Sequence, residues 1–357
     1  MIPLSLSEIA QAIDGQLVGT DLTINAITTD SRALNAGDVF LALKGPNFDG
    51  HKFVVSASEL GCSAVIVQQK TAGLDIAQIV VEDSHKALGQ IGAYVKSKVA
   101  PKAVAITGSS GKTTVKEMVA AILGRLGNVL ATNGNFNNDI GVPLTLLRLE
   151  QQHDFAVVEL GANHIGEIAY TSALVKPDVA MINNIAAAHL EGFGDLCGVA
   201  RAKGEIFQGL VSGGVAVYNQ DSQWAHKWQW RLDDKKVRRF SSQSTADCYS
   251  HEEVLDDNGC ASFKLTTNKG STYIELTVPG HHNVCNAVAA ATIALEFGAS
   301  LDDIRLGLAE MAPVKGRLNL HQLDNNIKLI DDTYNANVES INAASDLLAS
   351  YPGRRVL

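Results

Sequence analysis

The amino-acid sequence predicts an α/β protein with more than one domain, the largest built on a parallel sheet. Three observations lead there. Four apolar runs, AVAIT (103–107), FAVVEL (155–160), VAMINNI (179–185) and VAVYN (215–219), alternate with helical stretches, the pattern of strands covered on both faces. The stretch before them, residues 1 to about 85, instead alternates short β-rich runs with turns. And 357 residues exceed what one ordinary core organises, so two or three domains are expected.

The N-terminal MIPLSLSEIAQAIDG lacks a basic start and a small-residue cleavage site, and reads as a first turn and helix. LTINAITTDSR, DVFLALKG, SAVIVQQ and QIVVED follow, punctuated by Gly37, Gly45, Gly50 and Gly61; they predict a small α/β domain over 1–85. The central domain is expected over 86–313. Its strand AVAIT precedes a helix from about Lys112 to Arg125, FAVVEL precedes a short helix, and VAMINNI precedes a helix near 198–211. ASFKLTTNKGSTYIELTV (261–278) reads as a β-hairpin turning at Asn268-Lys269-Gly270, with helices near 283–297 and 301–311 after it. Pro313 to Arg317 reads as a linker, IKLIDDTY (327–334) as a strand, 339–350 as a helix, and GRRVL as the start of a further strand. A strand and a helix bury too little surface to stand alone, so 314–357 is expected to be the linker and beginning of an incomplete C-terminal domain.

The formal net charge of -9 argues against a nucleic-acid partner, which requires clustered Lys and Arg. No run of 18 apolar residues occurs, so no membrane insertion is expected. Cys62, Cys197, Cys248, Cys260 and Cys285 are scattered without CxxC spacing, as in a cytoplasmic protein with reduced thiols.

The chemistry concentrates in AVAIT-GSSGKTT-VKEMVAAILGRLG. Gly108 and Gly111 allow the backbone of Gly108-Ser109-Ser110-Gly111-Lys112-Thr113-Thr114 to turn its N–H groups inward as a nest for phosphate oxygens. The helix N-terminus adds positive potential. Lys112 can reach the β- and γ-phosphates and the Thr113 hydroxyl can hold Mg²⁺, which predicts an ATP-using enzyme with a central P-loop domain. The general pattern has a glycine five residues before the GK glycine. Ile106 stands there instead, which marks a variant of the loop.

That variant, TGSSGKTT, resembles the loop of the Mur ligases, the ATP-dependent amide-forming enzymes that build the peptidoglycan stem peptide. Further segments carry the likeness: TTDSRALNAGDVFLALKGPNFDGHKFV (28–54), ATNGNFNNDIGVPLTLL (131–147), VVELGANHIGEI (157–168), NNIAAAHLEGFGDL (183–196), AKGEIF (202–207), GHHNVCNAVAA (280–290), KGRLN (315–319) and DDTYNAN (331–337). The loops follow the D-alanyl-D-alanine-adding branch of the family more closely than the E-type branch. The resemblance implies a third, Rossmann-like domain of which this sequence holds the start. It also implies the activity: a carboxylate of UDP-MurNAc-tripeptide takes the γ-phosphate of ATP, and the amine of D-Ala-D-Ala then displaces phosphate from the acyl phosphate. A monomer in the cytoplasm is expected, working with ATP and one or two Mg²⁺.

By the same resemblance Lys112, His189 and Lys203 are the catalytic candidates. Glu159, at a strand end beside Gly161, would hold Mg²⁺ with Thr113, and His189 and Lys203 would serve a second ion, Lys203 as a carbamylated side chain. Asn283 and Asn286 match the adenine-contacting motif, although Asn283 could equally cap its helix. Arg317 and Asp331 match the groups that close on the ATP phosphates and ribose. Ser31, Arg32, Lys44 and Asp49 are the candidates for the UDP end of the substrate. Thr132, Asn133, Asn135 and Asn138 are candidates for its pyrophosphate or peptide, or for Asx-turns. The alternatives are another ligase of the superfamily (an E-type enzyme, or a folylpolyglutamate synthase, which lacks the N-terminal segment) and an inactive truncated form that only binds substrate. If 1–357 ends short of the third domain, little ligated product is expected from it.

Overall fold

Where the sequence offers apolar runs, strands form, most of them in one nine-stranded and one five-stranded sheet. The computed structural model describes residues 1–45, 47–324, 327–336 and 338–357; Pro46 and Asn337, within two of the segments quoted above, lie outside the described residues. The chain divides into two compact units, Met1–Pro101 with Asn133–His153, and Lys102–Thr132 with Asp154–Leu357.

The first unit carries a five-stranded sheet in the order Gln16–Val18, Ala77–Val80, Ala64–Val67, Val39–Leu41, Ile27–Thr28. The last four are mutually parallel and the first is antiparallel to its neighbour. Phe40, Val54, Ala57, Val65 and Val67 form a core on it. The helix Ser84–Val99 belongs to this unit: Asp83 caps its first turn by accepting from His85 N and Lys86 N, and Ala100 ends it in the left-handed region.

The second unit is the parallel-sheet domain. Its strands are β1 (Lys102–Thr107), β2 (Val129–Ala131), β3 (Phe155–Glu159), β4 (Val179–Ile182), β5 (Val215–Asn219), β6 (Lys236–Ser241), β7 (Cys248–Leu255), β8 (Cys260–Thr267) and β9 (Gly270–Pro279). They lie in the order β2-β3-β1-β4-β5-β6-β7-β8-β9. The first seven are parallel, and β8 and β9 add the antiparallel hairpin expected from the sequence. Its principal helices are α1 (Lys112–Leu123), α2 (Leu196–Lys203), α3 (His282–Glu296) and α4 (Leu301–Ala309). Val104, Ile106, Val115, Met118, Val119, Ile122, Val157 and Met181 fill the space between sheet and α1, and the alanine-rich α3 is buried along most of its length. β1 has β3 on one side and β4 on the other, so the chain reverses its direction of travel across the sheet there. In an open parallel sheet, that crevice at the carboxyl ends of the strands is where ligands bind.

Three local readings differ from the structure. The helix expected near 198–211 ends at Lys203 and continues as a 3-10 turn over Gly204–Gly209. Trp228 packs against this helix end: its Nε1 donates to Ala200 O (2.8 Å), and a β-carbon on Gly204 would lie 2.5 Å from its Cδ1. Ile327–Asp331 is a strand as expected, but it pairs antiparallel with Asn319–Asp324, which no apolar run marks in the sequence. The helix follows at Val338–Ser350, whereas residues 353–357 form no strand. A strand persists only with a laddering partner. Among the described residues, no helix is long and apolar enough to cross a membrane.

Candidate active site

The glycine loop leaves the end of β1 and enters α1, so its amides gather at the crevice beside β4. Gly111 caps α1 with φ 72, and a β-carbon on it would lie 2.5 Å from Asn183 Nδ2 and 2.7 Å from Asn286 Oδ1. Only glycine combines that backbone with that clearance.

Two asparagines at the end of β4 hold the loop. Asn183 Nδ2 donates to Ser110 O (3.1 Å) and to Asn286 Oδ1 (2.9 Å). Asn184 Oδ1 accepts from Ser110 N (2.9 Å), and its Nδ2 donates to Ser110 Oγ (2.6 Å). Ser109 Oγ donates to Ala186 O and accepts from Ala186 N. The ladder continues from Asn286 Nδ2 to Asn283 Oδ1 (2.9 Å) and from Asn283 Nδ2 to Pro279 O (2.7 Å). Asn283 therefore does not cap α3 through its side chain; it ties α3 back to β9. Asn183 and Asn184 carried no role in the sequence reading. The signal that marks them is a paired asparagine at the end of an apolar strand, where Asn183 is buried and Asn184 partly so.

Behind the loop, Thr113 Oγ1 donates to Glu159 Oε2 (2.9 Å) and accepts from Arg317 Nη2 (3.1 Å). Thr113 and Glu159 are both buried. Lys112 Nζ donates to Gly108 O (3.0 Å). Burial pushes the Lys112 amine down from its ordinary range, against the raising influence of Glu159 and with the help of Arg317. Arg317 Nε is buried with no hydrogen-bond partner among the described residues, and its guanidinium lies 4.4 Å from the Tyr334 ring centre. An orphaned guanidinium N–H beside a lysine and a glycine loop is suited to phosphate oxygens.

Lys203 ends α2, is 2% exposed, and has its Nζ 5.5 Å from the Phe193 ring centre. Burial, reinforced by the charge of Lys112, lowers its amine to about 7, against the pull of Glu167, Glu159 and Glu205. His189 sits at φ 52 with its ring edge-on to Phe193. Burial lowers its pKa, followed by the charges of Lys203 and Lys112. Among the described residues, no three His, Cys, Asp or Glu side chains cluster as a metal cage. Mg²⁺, however, is commonly held by one carboxylate, a hydroxyl, phosphates and water, and the Thr113–Glu159 pair fits that donor set.

Asp331 accepts from Thr333 N and Oγ1, and these bonds hold its carboxyl below the ordinary range. Within the first unit, Ser31 is half-buried, and the exposed Arg32 pairs with Asp30 (2.8 Å). Lys44 and Asp49 face each other across a two-residue ladder, and Asp49 Oδ1 bonds His51 Nδ1 (2.7 Å). The backbone carbonyls of Asn133 and Asn135 accept from Phe136 N and Asn137 N, and Asn138 Oδ1 accepts from Gly141 N (2.8 Å), the turn-forming use of an asparagine side chain. Thr132, in the second unit, accepts from Glu159 N through Oγ1 (3.0 Å).

The family model of the Mur ligase middle domain matches residues 106–294, and that of the Mur ligase family catalytic domain matches residues 23–96. The chain belongs to the Mur ligase family. Among Mur ligases it is 48% identical to the UDP-N-acetylmuramoyl-tripeptide–D-alanyl-D-alanine ligase of Escherichia coli (strain K12), over 100% of this chain and 79% of that protein. The namesake ligase of Bacillus subtilis (strain 168) is 34% identical, over 99% and 77%. The crystal structure of MurF from Acinetobacter baumannii superposes with TM-score 0.95 at 43% identity, covering 99% of this chain and 78% of that one. MurF ligase from Thermotoga maritima in complex with ADP gives TM-score 0.83 at 28% identity, covering 92% and 76%. The diaminopimelate ligase (22%, TM-score 0.62) and an L. casei FPGS mutant (16%, TM-score 0.61) share the fold alone.

Proposed function

We propose that this Mur ligase joins D-Ala-D-Ala to UDP-MurNAc-tripeptide at the expense of ATP, in the cytoplasm, where peptidoglycan precursors are assembled. The observation that carries the reading is the convergence of Lys112, Thr113, Glu159 and Arg317 on one glycine loop, in a chain similar along its whole length to ligases of that name. In the first step a tripeptide carboxylate oxygen attacks the γ-phosphorus and ADP leaves. In the second the dipeptide amine attacks the acyl carbon, phosphate leaves, and the amine loses a proton.

Both steps crowd anions together, so the protein's part is to supply fixed positive charge and exclude water. The loop amides and Lys112 bind the β- and γ-phosphates, Lys112 giving up Gly108 O to do so. Arg317 turns its unpartnered Nε toward the transferring group. Asn283 and Asn286 position the adenine end, with Asp331 near the ribose. Thr113 and Glu159 would hold Mg²⁺, which when bound neutralises charge on the phosphates. Ser31, Arg32, Lys44 and Asp49 take the UDP end of the substrate, and Asn133, Asn135 and Asn138 its continuation.

Lys203 has the chemistry of a carbamylation site. An amine near 7 is largely uncharged just above neutrality, so its lone pair can add to CO₂, forming the N–C bond and releasing one proton. The product is an anion beside His189, suited to a second Mg²⁺. Bicarbonate is expected to stimulate the wild-type enzyme and to leave Lys203→Ala at its low basal rate. Equal stimulation of both would remove Lys203 from this role.

The deciding experiment is phosphate release from ATP with UDP-MurNAc-tripeptide, with and without D-Ala-D-Ala. Release that requires both substrates, with the pentapeptide precursor formed, is the expected result. Turnover instead with a diamino acid and the dipeptide precursor would make the chain an E-type ligase.

A further inference from the structure

Lys116 lies one turn beyond Lys112 on α1, is 2% exposed, and takes no part in the chemistry described so far. Burying an ammonium group is costly unless it is well bonded. Its Nζ donates to Thr132 O (2.6 Å) and to Oε1 of the partly exposed Glu117 (2.5 Å). An apolar side chain of similar length would avoid the burial cost, so the contact with Thr132 invites a functional explanation.

Thr132 follows β2 and is 1% exposed. Its N donates to Val157 O (3.1 Å), and its hydroxyl accepts from Glu159 N (3.0 Å). Glu159 in turn accepts from Thr113 Oγ1 (2.9 Å), and Thr113 lies three residues before Lys116 on the same helix. The contacts close a ring: Lys116 to Thr132, Thr132 to Glu159, Glu159 to Thr113, and back along α1. Three elements, α1, β2 and β3, are thereby triangulated at the carboxylate.

We infer that Lys116 is a positioning residue: through Thr132 it fixes the backbone of Glu159, so that the Glu159 carboxylate and the Thr113 hydroxyl present one preset pair of oxygens to the divalent cation of the nucleotide complex. The inference rests on the ligase reading only in assigning Thr113 and Glu159 to Mg²⁺. Thr132 acts here as an internal strut, through both its carbonyl and its hydroxyl.

The test is ADP binding by calorimetry with and without Mg²⁺, which needs neither acceptor substrate nor turnover. The readout is the factor by which Mg²⁺ tightens ADP binding. Lys116→Met and Thr132→Val are each expected to cut that factor about tenfold, the scale of losing a partner behind a metal ligand. Mg²⁺-free ADP affinity should stay as in the wild type. Because both residues belong to one ring, the double variant should lose no more than the worse single one. Lys116→Arg, which keeps a donor, should recover part of the loss. A wild-type Mg²⁺ factor in Thr132→Val overturns the inference, even if Lys116→Met does not fold. Full additivity in the double variant also overturns it. ADP binding indifferent to Mg²⁺ in the wild type would overturn the metal assignment itself, a failure distinct from that of the strut.

Discussion

Two lysines of this site share a residue type and are proposed for different tasks because their surroundings differ. Lys112 is held by a loop carbonyl beside Glu159, whereas Lys203 lies against the Phe193 ring with its amine lowered to about 7. The Lys203 shift has a sign that can be tested. Its folded value lies below the unfolded one, so below pH 7 both states are protonated and the folded chain bears the whole cost of burying the charge. From about 7 up to the unfolded value near 10.5, unfolding takes up a proton, and stability gains with pH by up to about 1.4 kcal/mol per unit. Lys203→Met, which has no charge to bury, should therefore be more stable than the wild type below pH 7, and its advantage should shrink steadily between pH 7 and 9. Urea midpoints measured across that range check this; a constant difference would mean that Lys203 does not titrate there. Thr113→Val deletes the oxygen between Glu159 and Arg317. It should lower kcat by about a hundredfold or more with little change in KM for the UDP-linked substrate, as steady-state kinetics with each substrate varied would show. Lys112 and Thr113 were legible because their motif is contiguous. Arg317 needed the family resemblance, since its contact with Thr113 spans 204 residues. For Asn183 and Asn184 the paired asparagine marks the strand end but not its partner, because the loop they hold lies 73 and 74 residues earlier.

At the scale of elements, the loop is as well defined by what surrounds it as by its own glycines. A β-carbon at Gly111 would overlap both Asn183 and Asn286, the middle of the ladder that joins β4 to α3. Gly111→Ala combines a left-handed alanine with that overlap and should cost about 2–4 kcal/mol. Nucleotide affinity should fall with it, because the ladder must part to admit the methyl group. Denaturant titration and ADP calorimetry on the same variant check both effects; unchanged binding would mean the ladder is not needed for the loop's shape. β1, β3, β4 and β5 of the second unit are legible because their runs are apolar and almost wholly buried, whereas β2, which is short, and β6 and β7, which are polar and partly exposed, are not marked by such runs. The breaks are not legible either. The end of α2 is contacted by Trp228, 24 residues beyond Gly204 in sequence, and the Asn319–Asp324 strand exists through its partner rather than through its own mixed composition.

Over the whole molecule, each unit has its own sheet and its own buried cluster: Phe40, Val65 and Val67 in the first, Ile106, Val157 and Met181 in the second. The residues proposed for ATP, Lys112, Thr113, Glu159, Asn283, Asn286 and Arg317, all fall in the second unit, and Ser31, Arg32, Lys44 and Asp49 all fall in the first. A ligand stabilises the cooperative unit that binds it, by about 2.7 kcal/mol at a hundred times its Kd. Mg·ADP should therefore slow amide exchange in β1, β3, β4 and α1, and most of all over Ser109–Thr114. It should leave Val39–Leu41 and Ala64–Val67 exchanging as in the free chain. UDP alone should reverse the pattern, protecting the first sheet and not the loop. Hydrogen exchange read by mass spectrometry on the intact chain separates these outcomes. Protection of both sheets by Mg·ADP alone would mean that the two units unfold as one body, and that nucleotide binding is already coupled to the unit proposed to hold the precursor.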